Sequence, residues 1–151
     1  MTGLVRRSLY VGVSAVAILA AGCAGMPKGP ATLQASQEVP PVTSSASGTT
    51  DISVSWSKCP SAASGSNCPT VYGTVVLSGV MATAAHIHMA AAGQNGPVVV
   101  PLVKRSDTVW DVPGATTLND DQWRAYWAGQ LYVNVHSDAN KGGELRGQLK
   151  P

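Results

Sequence analysis

The sequence predicts an all-β fold: an antiparallel sandwich of Greek-key type with about eight strands and one short helix near residues 118–128. Three observations lead there. Short β-rich runs recur at regular spacing, turn residues separate them, and only one stretch near the end carries helix chemistry. The runs are Thr32 to Val39, Thr50 to Ser57, Thr70 to Ser78, Thr83 to Met89, Val98 to Val103, Thr108 to Val112, Gln130 to Ser137 and Gly143 to Leu149. Their close succession argues against alternating βαβ units, and no internal repeat is present.

The helix is expected after Thr117-Leu118-Asn119, where Thr117 or Asn119 can cap the free amides and Asp120-Asp121 suits the positive end of the helix dipole. Gly129 is its expected stop. Leu118, Trp123, Ala125, Tyr126 and Trp127 supply its apolar face, so the tryptophans are expected in the core, with the helix closing one end of the sandwich.

The first residues have a different chemistry. Arg6 and Arg7 precede an apolar run from Leu9 to Ala21, which is too short to span a bilayer core and has the order of a secretory signal. Leu19-Ala20-Ala21-Gly22-Cys23 resembles the lipobox of bacterial lipoproteins, although Ala20 stands where a larger apolar residue is usual. Residues 1–22 are therefore expected to be a signal peptide, residues 23–31 an acylated Cys23 with a Pro/Gly tether, and residues 32–151 one β domain. The resemblance implies a palmitate-bearing lipoprotein held on the outer side of the membrane. Ala24 after the cysteine implies the outer membrane where a bacterium has two.

Charge narrows the partners. The chain has 10 basic and 8 acidic residues, and loss of Arg6 and Arg7 leaves the domain balanced. Such a surface releases few counterions from a phosphate backbone, so no nucleic-acid partner is expected. The membrane is the expected partner through the lipid, together with a protein or metal-ion ligand that the sequence does not specify. Cys59 and Cys68 form an even pair in an exported chain and are expected to be a disulfide across a Ser/Gly/Ala hairpin tip. The alternative, a two-cysteine metal site, has no neighbouring histidine to complete it.

Strand alternation singles out the polar residues. His86 and His88 share one face of their strand; Tyr132, Asn134 and His136 share one face of theirs, with Leu131, Val133 and Val135 opposite. Glu144, Arg146 and Gln148 alternate against Leu145, Gly147 and Leu149. A symmetric hairpin through residues 138–142 would pair His136 with Glu144, Asn134 with Arg146 and Tyr132 with Gln148 in one polar ladder. A slip of one residue would destroy it.

Five blocks resemble a known family: Gln37-Glu38-Val39-Pro40-Pro41, Thr83-Ala84-Ala85-His86-Ile87-His88, Asn95-Gly96-Pro97-Val98, Leu131 through His136, and Gly142 through Leu149. Together, and in this order, they resemble the CHRD domain, named for chordin and found also in microbial secreted proteins. The resemblance runs from about Thr32 to Leu149 and implies an Ig-like β-sandwich module without established catalysis. It does not imply growth-factor binding. The segment between Cys59 and Cys68 lies outside the resembling blocks.

Two readings of the polar face follow. In the first, the chain is no enzyme and needs no cofactor, and the histidines join Glu38, Tyr132, Asn134, Glu144, Arg146 and Gln148 in a hydrogen-bonded network. In the second, His86, His88 and His136 bind copper or zinc, with Glu38, Glu144, Met81 or Met89 as an extra ligand, in a metal carrier or a minor redox enzyme. The chain has only three histidines, too few for the copper and zinc sites of Cu/Zn superoxide dismutase, so that activity is excluded. No nucleophile motif, phosphate loop or dinucleotide turn is present.

Overall fold

The computed structural model describes residues 30–60 and 65–151. The segments expected to be a signal peptide and most of the tether, with Cys23, lie outside them. Among the described residues no helix is long and apolar enough to cross a membrane.

The expected eight runs become eleven strands: β1 (Ala31–Gln34), β2 (Ser47–Thr50), β3 (Ser53–Lys58), β4 (Asn67–Tyr72), β5 (Thr74–Ser78), β6 (Ala82–Met89), β7 (Val98–Pro101), β8 (Val103–Lys104), β9 (Val109–Asp111), β10 (Leu131–Ser137) and β11 (Leu145–Gln148). Nine form one antiparallel sheet in the order β7-β6-β10-β11-β1-β2-β5-β9-β8, and β3 and β4 form a separate hairpin. Leu33, Val75, Leu77 and Trp110 from one half of the sheet share a core with Ile87, Val133, Val135 and Leu145 from the other. The sheet therefore curls around its own apolar face and approaches a barrel. The all-β antiparallel architecture with one short helix is as expected.

The extra strands arise where a run changes partner. The stretch Thr70 to Ser78 breaks at Gly73, whose φ of 126° suits glycine, and a Cβ there would stand 2.7 Å from Ile52 Cα. Asp51 breaks the run from Thr50 to Ser57 at the same level, its carboxylate accepting from the Thr74 N–H at 2.6 Å. The hairpin β3–β4 is thereby freed from the ladder of β2 and β5. Cys59 and Cys68 are disulfide-bonded at its tip, with Cα atoms 5.3 Å apart, as the sequence predicts.

The first run also ends early. Only its first residues form β1; Ala35–Gln37 make a 3-10 turn that carries Glu38 off the end of the strand, where it is hydrogen-bonded by Asn134 of β10. The helix α1 (Asp120–Trp127) begins at Asn119, whose side chain accepts from the Gln122 N–H while Gln122 reaches back to the Asn119 N–H. Gly129 follows with a φ of 67°. Leu118, Ala125 and Tyr126 are buried as expected, but Trp127 is not: it is 52 % exposed, and Trp123 only partly buried. An eight-residue helix laid across a sheet end buries one stripe, and that stripe passes through Ala125 and Tyr126.

Candidate functional site

β6, β10 and β11 lie side by side, with Asn134 facing His86 on one flank and Arg146 on the other. Tyr132 likewise lies between His88 and Gln148. Two of the expected ladder pairs form in the expected register. The third stops at the backbone, where the Glu144 N–H donates to Val135 O at 2.7 Å. A bulge after His136 breaks the alternation, and the Glu144 carboxylate accepts from Ser137 Oγ and, at 2.6 Å, from Ser44 Oγ. Those two bonds hold Glu144 below the usual carboxylate range.

The polar face is covered by loops, and Tyr132, Asn134 and Arg146 are buried beneath them. Arg146 donates to the carbonyls of Gln94 at 2.8 Å and Ala91 at 3.2 Å, and to Asn95 Oδ1 at 3.3 Å. Gln148 donates to the carbonyls of Ala90 and Gly129, while Asn95 Nδ2 donates to Val39 O. Side chains, the buried Arg146 first among them, thus satisfy the backbone of an irregular loop that has no ladder of its own.

Glu38 is buried on the same face, its Oε2 accepting from Asn134 Nδ2 at 3.3 Å. Burial pushes its pKa up to about 7, against the opposing pull of the Arg146 charge and the bonds from Asn134 and the Val39 backbone. Gly143 permits this closeness: a Cβ there would stand 2.6 Å from Glu38 Oε2 and 2.7 Å from Asn134 Oδ1. Glu38 Oε1 and Asn134 Oδ1 are buried without a hydrogen-bond partner.

His86, His88 and His136 each offer a ligand nitrogen, and these atoms lie within 4.8 Å of one another. His86 Nδ1 is 3.2 Å from His136 Nε2. His136 Nδ1 lies 3.0 Å from Lys141 O, and His88 Nδ1 2.9 Å from Gly96 O. A carbonyl only accepts, so both rings carry a proton on Nδ1 and a neutral ring has its lone pair on Nε2. His88 Nε2 is buried and unpaired. Burial first, and then the neighbouring imidazoles, lowers the pKa of His86; burial likewise dominates the lowering at His88, with Gly96 opposing it. No carboxylate joins the three imidazoles among the described residues. Of the other expected ligands, Glu144 is engaged by serines and Glu38 by Asn134; Met89 faces Leu131 and packs on the core; Met81 is exposed and precedes β6.

The model of the CHRD domain family matches residues 29–149. The chain belongs to the CHRD domain family. All eleven strands and both loops over the polar face lie within the matched span. Comparison with curated proteins and with solved structures found no match. Membership agrees with a structural or binding module. In this CHRD domain, sequence reasoning missed the groups that orient the imidazoles, because Gly96 and Lys141 act through backbone carbonyls. Only the position of Gly96 in the turn Asn95-Gly96-Pro97 marks it. A Cβ there would land 2.0 Å from Met89 O, so the loop closes on His88 only with glycine.

Proposed function

We propose that this protein is a lipid-anchored, extracytoplasmic CHRD module of the cell envelope that binds or supports a partner and catalyses nothing. The order of charges, apolar run and lipobox-like residues before Cys23 supports the anchor. The polar face supports the module reading, since Arg146 is committed to loop carbonyls and the Glu144 carboxylate to hydrogen bonds from Ser44 and Ser137 that tie a loop to the sheet.

One feature of the folded domain carries the membrane side of this reading. Pro30 lines a groove of about 540 Å³ rimmed by Trp56, Tyr72 and Trp127, which are 55, 50 and 52 % exposed. Trp123 forms its floor, edge-on to Trp56 at 5.7 Å and to Trp127 at 5.4 Å. An acylated Cys23 is seven residues from Pro30, a reach of at most about 25 Å from the bilayer. Tryptophan and tyrosine favour the headgroup level of a membrane, and Lys150 beside them suits anionic lipid.

The test expresses the full chain with labelled palmitate, fractionates membranes, and measures tryptophan quenching by brominated lipids. We expect label on wild type, none on Cys23→Ser, and quenching that falls sharply in the Trp56→Ala/Trp127→Ala double variant. Soluble, unlabelled wild type would refute the anchor. Anchored protein without quenching would refute contact of the aromatic rim with lipid.

A further inference from the structure

We infer that His86, His88 and His136 form a site for one late first-row divalent metal ion, copper(II) ahead of zinc(II). The inference goes beyond the envelope-module reading and does not depend on the lipid anchor. Two strands supply the ligands. His86 and His88 extend from alternate positions of β6 and His136 from the adjacent β10, so the sheet itself fixes their spacing.

The imidazoles are oriented as metal ligands are. Two of them donate Nδ1–H to backbone carbonyls, of Gly96 and Lys141, which fixes the tautomer and leaves Nε2 as the donor atom. The polar network leaves three buried atoms on this face unpaired, Glu38 Oε1, Asn134 Oδ1 and His88 Nε2, and only the last is an imidazole nitrogen of the histidine cluster. With Nδ1 committed to Gly96, Nε2 is the His88 nitrogen free to bind a cation, in a cluster whose ligand atoms lie within 4.8 Å of one another. His88 is braced besides: its ring stacks on Tyr132 at 5.0 Å and 16°, and the Tyr132 hydroxyl accepts from the N–H of the same Gly96.

The geometry needs little adjustment. Nitrogens about 2.0 to 2.1 Å from a common ion stand about 3.3 to 3.6 Å apart in a tetrahedral or trigonal arrangement. His86 Nδ1 and His136 Nε2 are already 3.2 Å apart, and the widest separation, within 4.8 Å, must close by about 1 Å through side-chain rotation. His86 must carry its proton on Nε2, the nitrogen away from His136. All three histidines are only partly buried, and we expect water or a small exogenous ligand to complete the coordination from the solvent side.

The donor set selects the ion. Three neutral imidazoles without a carboxylate are poor ligands for magnesium or calcium, which take oxygen. They also lack the thiolate that favours soft sites. Nitrogen donors of this kind bind copper(II) above zinc(II) in the usual divalent order.

The full chain, purified in detergent without a histidine tag and stripped with chelator, is titrated with Cu(II), Zn(II) and Mg(II). We expect one equivalent of Cu(II), weaker Zn(II), no Mg(II), and imidazole nitrogen splitting in the Cu(II) electron paramagnetic resonance spectrum. His88→Gln and His136→Gln should each weaken Cu(II) at least about tenfold. Absence of saturable one-to-one binding, or variants that bind like wild type, overturns the site. Zinc bound as tightly as copper overturns the preference. Should the variants fail to fold, the wild-type spectrum decides: a Cu(II) signal without imidazole nitrogen overturns the proposal. Loss of membrane attachment would leave each of these readings unchanged.

Discussion

Arg146 lies over the ring of Tyr132, its guanidinium carbon 3.6 Å from the ring centroid, while its N–H groups reach the carbonyls of Ala91 and Gln94. This pair joins β11 to β10 and both to the loop above them. Tyr132 also carries the stacked His88, so one arginine positions the loop and, through the tyrosine, an imidazole.

Arg146→Ala removes a buried cation and leaves carbonyl groups without donors beneath a loop. We expect a loss of about 3 to 4 kcal/mol in urea unfolding. Arg146→Lys should recover little of it, because an ammonium cannot both lie flat on Tyr132 and fork to two carbonyls. A lysine variant as stable as wild type would contradict this account.

The period of two made much of this face legible. Alternation in Leu131 to His136 and in Glu144 to Leu149, joined by a symmetric hairpin, gives the pairs Asn134 with Arg146 and Tyr132 with Gln148, and they form. Three other features left no such trace. The bulge after His136 sends Glu144 to Ser137 and to Ser44, a residue one hundred positions away. The carbonyls of Ala90, Ala91, Gln94, Gly96 and Lys141 belong to residues whose side chains say nothing of their role. The exposure of Trp127 depends on which stripe of α1 meets the sheet, and its apolar residues outnumber the places in that stripe.

Glu38 gives the domain a pH dependence of unusual sign. Its carboxyl ionises near 4.5 when unfolded and at about 7 when folded, so between those values the folded chain holds more protons. Stability therefore falls as pH rises through this window, by about 3 kcal/mol in all. His86 and His88, lowered from 6.5, act oppositely, since below that value the unfolded chain binds their protons more readily. The difference between wild type and Glu38→Gln isolates the carboxyl. We expect the two to be alike near pH 4.5 and the glutamine variant to be more stable at pH 8. Parallel unfolding curves from pH 4.5 to 8 would remove Glu38 as the cause.

The disulfide closes only a short hairpin tip, between residues nine apart. Replacing both cysteines with serine should cost at most about 2 to 3 kcal/mol and leave the nine-stranded sheet intact. Amide hydrogen exchange checks this: protection should drop in β3 and β4 and persist in β10. Loss of protection in β10 would mean that the hairpin supports the main core.

Gly96 provides the last test, because one backbone unit there serves two side chains. Its carbonyl accepts from His88 Nδ1 at 2.9 Å, and its N–H donates to the Tyr132 hydroxyl at 3.1 Å. In Gly96→Ala the new Cβ would stand 2.0 Å from Met89 O and 2.7 Å from the Met89 carbonyl carbon, both backbone atoms that cannot swing aside. The loop must lift, and both bonds stretch with it. We expect a loss of about 2 to 3 kcal/mol, within the range for overpacking with lost buried hydrogen bonds. Gly114→Ala is the control, since a Cβ there meets nothing within 4 Å, and it should change stability by less than about 0.5 kcal/mol. Nitrogen-15 NMR of the imidazoles gives a second readout. In wild type His88 should show Nδ1 protonated and Nε2 bare, whereas in Gly96→Ala the two tautomers should mix, because the carbonyl that selects one has moved. Gly96→Ala with wild-type stability and an unchanged His88 spectrum would show that the loop does not hold the ring.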